Sequence, residues 1–118
     1  MTRSFAWSLA ALSLCVALRP SRALAQQPDA KALYTRLCVA CHGPAGGGDG
    51  PVAAALKPKP PSFADPQYQA ARTDEQLATT IQTGKPPMPP FGQQLSAAEV
   101  RALVAYVRTI PLPPERSQ

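Results

Sequence analysis

Apolar and polar positions recur with a helical period in three places along the chain, and nowhere with the period of two that marks a strand. In "DAKALYTRLCVACH", Ala30, Leu33, Tyr34, Leu37 and Cys41 follow one another at steps of three and four. Asp29 stands where an N-cap or first-turn acid belongs, and Gly43-Pro44 stops the pattern near His42. "RTDEQLATTIQTGK" predicts a second helix with Leu77, Thr80, Ile81 and Gly84 on one face. Thr73 and Gln76 form its capping box and Gly84 its stop. "SAAEVRALVAYVRTI" predicts the third and clearest helix, opened by the Ser96–Glu99 capping box, with a stripe of Val100, Leu103, Val104 and Val107 and Tyr106 beside it. Pro111 to Pro114 end it. The expected class is all-α, with three main helices and long loops.

Those loops hold the next question. "GPAGGGDGP" and "KPKPPSFADPQ" carry much of the glycine and proline, and only "VAAAL", residues 52–56, can form a short helical turn between them. Proline removes a donor and disfavours helix at the residue before it. Loops this long inside a compact domain are either disordered or wrapped around something that supplies the missing core. "KPPMPPFGQQL" adds a rigid extended loop between the second and third helices.

The chain begins with a different pattern. "MTRSFAWSLAALSLCVALRPSRALAQQ" has a basic start at Arg3, an apolar run from Ser8 to Leu18, then Pro20 and the small-residue site Ala23-Leu24-Ala25. This is the layout of a secretory signal peptide, with cleavage expected after Ala25; an uncleaved anchor is the alternative. The apolar run is short for a spanning helix. Residues 26–118 then form one domain, and removing 25 of 118 residues leaves 93. Arg3, Arg19 and Arg22 leave too, so nine basic residues face seven acidic ones and the net charge falls from +5 to +2. No Lys/Arg cluster is interleaved with aromatics, so nothing points to nucleic acid. Export implies the periplasm.

Cleavage also removes Cys15 and leaves Cys38 and Cys41, in "LCVACHGPAGGGDGP". A structural disulfide across two residues closes so small a loop that it stabilises little. A thioredoxin-like dithiol belongs near a βαβ pattern, which is missing. A structural zinc site needs four ligands, and the mature chain offers two cysteines and one histidine. Cys-x-x-Cys-His is the attachment signature of a c-type haem. One helical turn places Cys38 and Cys41 on one side, where both can form thioethers, and His42 follows to reach the iron. "GGGDG" lacks the Lys-Ser/Thr ending of a phosphate loop and reads as backbone passing close to the haem.

The second axial ligand is also legible. His42 is the only histidine, so two histidines from one chain cannot hold the iron. Apart from Met1, Met88 is the only methionine, set among Pro86, Pro87, Pro89 and Pro90. A lone methionine usually fills a core gap. In a proline-stiffened loop it is better placed to hold a thioether on iron, because little entropy remains to be lost.

With "YTRLCVACHG", "GPV", "MPPFG" and "LSAAEVRALVAYVRTI", the chain resembles the small single-haem class I c-type cytochromes of bacteria across essentially the whole mature sequence. The resemblance implies a cytochrome c-like fold wrapped around one covalently attached haem. It implies that Tyr34 packs on the C-terminal helix near Leu103 and Tyr106, with Ala30 where a glycine is common. It also implies that the Pro51 carbonyl accepts from the Nδ1–H of His42. Phe91 is expected near the haem or in the core.

The site residues expected from sequence are thus Cys38, Cys41, His42, Met88 and Pro51, with His42 and Met88 as iron ligands. Met/His ligation raises the reduction potential and fills both axial positions. The expected function is a soluble one-electron carrier, not an enzyme, passing electrons between redox protein partners, as a monomer without stable membrane insertion. Lys57, Lys59 and Lys85 are candidates to steer an acidic partner. Two alternatives are a haem-bearing subunit docked to a dehydrogenase or oxidase complex, and a haem enzyme or gas-binding module with an open sixth site.

Overall fold

A computed structural model describes residues 26–110. The signal-peptide expectation falls on residues outside that range. In chain order the described residues form α1 (Ala30–Leu37), α2 (Val39–His42), a 3-10 turn (Ala53–Ala55), α3 (Pro66–Ala70), α4 (Asp74–Thr83) and α5 (Ala97–Thr109). Among them no strand forms, and one isolated antiparallel bridge joins Lys85 and Met88.

The two strongest sequence signals fold as expected. At the start of α4 the Thr73 hydroxyl accepts from Gln76 N–H at 3.2 Å and the Gln76 side chain accepts from Thr73 N–H at 3.0 Å. At the start of α5, Ser96 and Glu99 make the same exchange at 3.2 and 2.8 Å. Each box satisfies two of the donors a helix start leaves orphaned.

The first predicted helix is two helices. Cys38, at φ −115°, interrupts it, and the backbone re-enters a helical turn when His42 N–H reaches Cys38 O at 2.8 Å. The predicted turn at residues 52–56 is the 3-10 turn. Helix α3 adds to the sequence expectation: Asp65 caps it by accepting from Gln67 N–H at 2.9 Å, and Pro66 sits in its first turn, where a missing donor costs nothing.

The core is the contact of α1 with α5. Leu33 and Tyr34 pack with Val100, Leu103 and Val107, and Phe63, Leu95 and Ile110 complete the cluster. Tyr34 and Leu103 are each only 1% exposed. The Tyr34 and Tyr106 rings meet at 5.2 Å, tilted by 51°, as the resemblance implied. Full burial of each such side chain contributes about 1.5–3 kcal/mol. Phe91 lies partly buried against the same cluster, so it has a core role whatever else it touches.

Arg108, in the last turn of α5, fastens the loop side of the fold. Its guanidinium donates to Gln69 O and Gln69 Oε1 at 2.7 Å each, to Arg72 O at 2.5 Å and to Asp74 Oδ1 at 2.9 Å. One side chain thus ties α3, its following turn and the start of α4 to α5.

Candidate haem-attachment site

Helix α2 is only four residues long, so all of its carbonyls are of the kind a helix end leaves unpaired. The glycine-rich loop satisfies every one. Gly43 N–H donates to Val39 O at 2.9 Å, Val52 N–H to Ala40 O at 3.1 Å, Gly50 N–H to Cys41 O at 3.1 Å and Gly48 N–H to His42 O at 2.9 Å. The loop closes over the helix end through Gly43, whose φ of 79° is a left-handed conformation that favours glycine. Gly50 lies so close that a Cβ there would collide with the Val39 and Ala40 carbonyls. Within "GGGDG", Gly50 thus packs on the backbone of α2 and Gly48 on the carbonyls of Pro60 and Pro61. In turn the Tyr34 hydroxyl donates to Gly43 O at 2.8 Å, which ties the loop to α1.

The braced helix presents three groups. Cys38 and Cys41 are unlinked, partly buried thiols one turn apart. Burial, with a smaller contribution from Cys41, pushes the Cys38 thiol up to about 11. That is the opposite of a reactive dithiol, whose nucleophilic cysteine is held low so that it is a thiolate. His42 is buried, and burial lowers its pKa below the ordinary histidine value, which keeps the ring neutral and fit to ligate a metal. Its ring stacks on Phe63 with centroids 4.6 Å apart and planes 19° apart.

His42 Nδ1 is buried and makes no hydrogen bond among the described residues. The expected Nδ1–H donation to the Pro51 carbonyl is thus not made in this structure, although Gly50 and Val52 on either side of Pro51 are both bonded to α2. Pro51 itself is exposed. Met88 lies on a different element, in the turn after α4, where Lys85 N–H donates to Met88 O at 3.1 Å and Met88 N–H to Lys85 O at 2.8 Å. It is partly buried. Cys41 and His42 on α2, Cys38 at its N-cap and the loop that carries Pro51 are brought together, and no backbone hydrogen bond among the described residues links the Met88 turn to them.

Reading the sequence missed Phe63, Gln69 and Arg108. A loop phenylalanine has no periodicity to reveal it. The Asp65-Pro66 pair, an N-cap followed by a first-turn proline, was the available signal for α3 and hence for Gln69.

Two unlinked thiols and a buried neutral imidazole on one braced turn suit the two thioethers and the axial nitrogen of a covalently held haem. They define the class of the c-type cytochromes. Comparison with known proteins agrees: residues 25–107 match the family described as cytochrome c oxidase, cbb3-type, subunit III, and the chain belongs to that family. No curated protein matches the chain. Among solved structures it is similar to the KustC0563 c-type cytochrome, at 35% identity and TM-score 0.64, covering 71% of this chain and 99% of that one. A mutant of the same Kustc0563 protein matches at 34% identity and TM-score 0.62, covering 70% and 99%. A chain of the Kuenenia stuttgartiensis reducing HAO-like protein complex Kustc0457/Kustc0458 matches at 28% identity and TM-score 0.58, covering 70% of this chain and 41% of that one. The all-α, cytochrome c-like class stands, with the first of the three main helices split into α1 and α2 and with α3 added. The protein is a c-type cytochrome, an electron-transfer protein and not an enzyme, and its family implies haem c as cofactor.

Proposed function

We propose that this chain carries one haem c, attached through thioethers at Cys38 and Cys41, with His42 and Met88 on the iron, and that it works as a soluble one-electron carrier between periplasmic or membrane redox partners. The buried, neutral His42 beside two free thiols on a helix with every carbonyl capped is the observation that carries this reading. When bound, the haem supplies the one-electron chemistry, and Met/His ligation places its potential high. The chain's own residues hold it. The loop from Gly43 to Val52 keeps α2 rigid, and burial keeps His42 unprotonated. The short turn at Met88 limits the freedom its thioether loses on binding iron. Pro51, between two residues bonded to α2, remains the backbone candidate for His42 Nδ1.

Residues 1–25 act as the export signal in this proposal, with cleavage after Ala25. No helix among the described residues is long and apolar enough to cross a membrane. The exposed Lys57, Lys59 and Lys85 favour an acidic face on the redox partner. A second reading, a subunit docked on a larger redox complex, is favoured by the likeness to a chain of the HAO-like complex.

Periplasmic expression with the haem-attachment machinery tests the proposal. Haem that stays with wild-type protein through denaturation and acid-acetone extraction, and is lost in Cys38→Ala/Cys41→Ala, is the expected result. Wild-type protein that releases its haem on denaturation contradicts it.

A further inference from the structure

Phe63 belongs to no helix, yet it is buried and its ring lies against the face of the His42 imidazole. His42 Nδ1 makes no hydrogen bond among the described residues that would fix the ring's rotation, so the stack supplies the orienting contact this structure shows. Phe63 is itself held at both ends of its backbone. Its N–H donates to Gly46 O at 2.7 Å, and its carbonyl accepts from Gln69 Nε2 at 2.8 Å. Gln69 Nε2 also donates to Val107 O at 3.1 Å, and the Arg108 guanidinium fixes Gln69 Oε1. Tyr68 packs beside Phe63, with centroids 5.9 Å apart at a 44° tilt. A continuous chain of contacts therefore runs from α5 through Gln69 and Phe63 to the imidazole.

We infer that Phe63 is a positioning residue that sets the rotation of the His42 ring at the iron, and that Gln69 holds Phe63 in place for it. This rests on the reading of His42 as an iron ligand. Groups that orient a metal ligand tune the metal, and the stacked Phe63 ring acts on the face of the imidazole while Pro51 stays the candidate acceptor at its Nδ1 edge. Rotation of an axial imidazole changes its overlap with the iron d orbitals. That redistributes unpaired spin over the porphyrin in the ferric state.

The test compares holoprotein of wild type, Phe63→Leu, Phe63→Tyr and Gln69→Leu. The haem methyl resonances of the ferric form, the midpoint potential and the melting temperature are measured for each. Phe63→Leu is expected to redistribute the methyl shifts and move the potential. Phe63→Tyr, which keeps the ring, stays at the wild-type pattern, and Gln69→Leu moves the methyl shifts in the same sense as Phe63→Leu by less. A Phe63→Leu protein that melts lower but keeps the wild-type methyl pattern and potential overturns the inference and leaves Phe63 as core. Where Phe63→Leu fails to fold, Gln69→Leu decides by the same criterion. A wild-type ferric spectrum without imidazole ligation overturns the His42 reading, and this inference with it; an unchanged Phe63→Leu pattern beside imidazole-ligated wild type overturns this inference alone.

Discussion

Tyr34 joins the core to the site, and removing its hydroxyl separates the two roles. The hydroxyl donates to Gly43 O at 2.8 Å in a buried setting, while the ring packs on Tyr106 and lies in one cluster with Leu103. Tyr34→Phe keeps the packing and deletes the bond. A buried acceptor left without a partner costs about 1–3 kcal/mol, but Gly43 O also accepts from Gly46 N–H at 3.1 Å. The expected loss is therefore near the low end, about 1 kcal/mol. For a domain of this size that lowers the melting temperature by about 4–8 °C. Tyr34→Ala also removes the ring from the centre of the core and should cost about 3–5 kcal/mol. Urea unfolding of the holoproteins, followed by far-UV circular dichroism, measures both.

A pH series sharpens the same test. Burial holds the Tyr34 phenol well above its ordinary value of 10, with smaller contributions from neighbouring groups. The unfolded chain then releases this proton first, so the stability it confers is complete below about pH 10 and is lost as pH rises further. The gap between wild type and Tyr34→Phe should close above that pH. Tyr68, also raised by burial, is present in both proteins and cancels. A Tyr34→Phe loss as large as that of Tyr34→Ala, or a gap that stays constant with pH, would refute the division of roles.

Three further outcomes follow from the loops and caps. Gly50→Ala forces a methyl group into the Val39 and Ala40 carbonyls and should lower the yield of covalently bound haem, read by pyridine haemochrome, more than Gly47→Ala, whose Cβ would meet only the Asp49 side chain. Arg108→Met loses hydrogen bonds to Gln69 and Arg72 and should cost about 1.5–3 kcal/mol by denaturant unfolding, whereas Asp74→Ala, which breaks the ion pair and removes a first-turn acid of α4, should cost less, about 0.3–1 kcal/mol. The Ser96 backbone N–H, then its hydroxyl, hold the Glu99 carboxyl below its ordinary value, so its contribution is present at neutral pH and is lost as pH falls through the folded-state value. The stability difference between wild type and Glu99→Gln, which keeps the cap without the charge, should shrink on acidification in urea titrations.

What the sequence made legible divides by the range of the signal. Helices α4 and α5 announce themselves because a capping box and an apolar stripe lie within a dozen adjacent residues. The attachment motif is legible for the same reason, since Cys38, Cys41 and His42 share one turn. The break at Cys38 was hidden because the apolar spacing continues across it. Phe63, Gln69 and Arg108 were hidden because their roles depend on contacts between residues far apart in the chain: Phe63 lies in a proline-rich segment with no period to read, and the partners of Arg108 lie more than thirty residues before it. The family resemblance pointed to the Pro51 carbonyl as a partner of His42 Nδ1, whereas the hydrogen bonds that tie this segment to α2, from Gly50 and Val52, leave no trace in the sequence pattern.

The most direct measurement of the proposed ligand set is the absorption spectrum of the oxidised holoprotein, recorded for wild type and Met88→Ala together. His/Met ligation predicts a weak methionine–iron charge-transfer band in the far red for wild type, lost in Met88→Ala, with a lower midpoint potential in the variant. A wild-type spectrum without that band, or one unchanged by Met88→Ala, would contradict Met88 as the second ligand and leave the sixth position to another group.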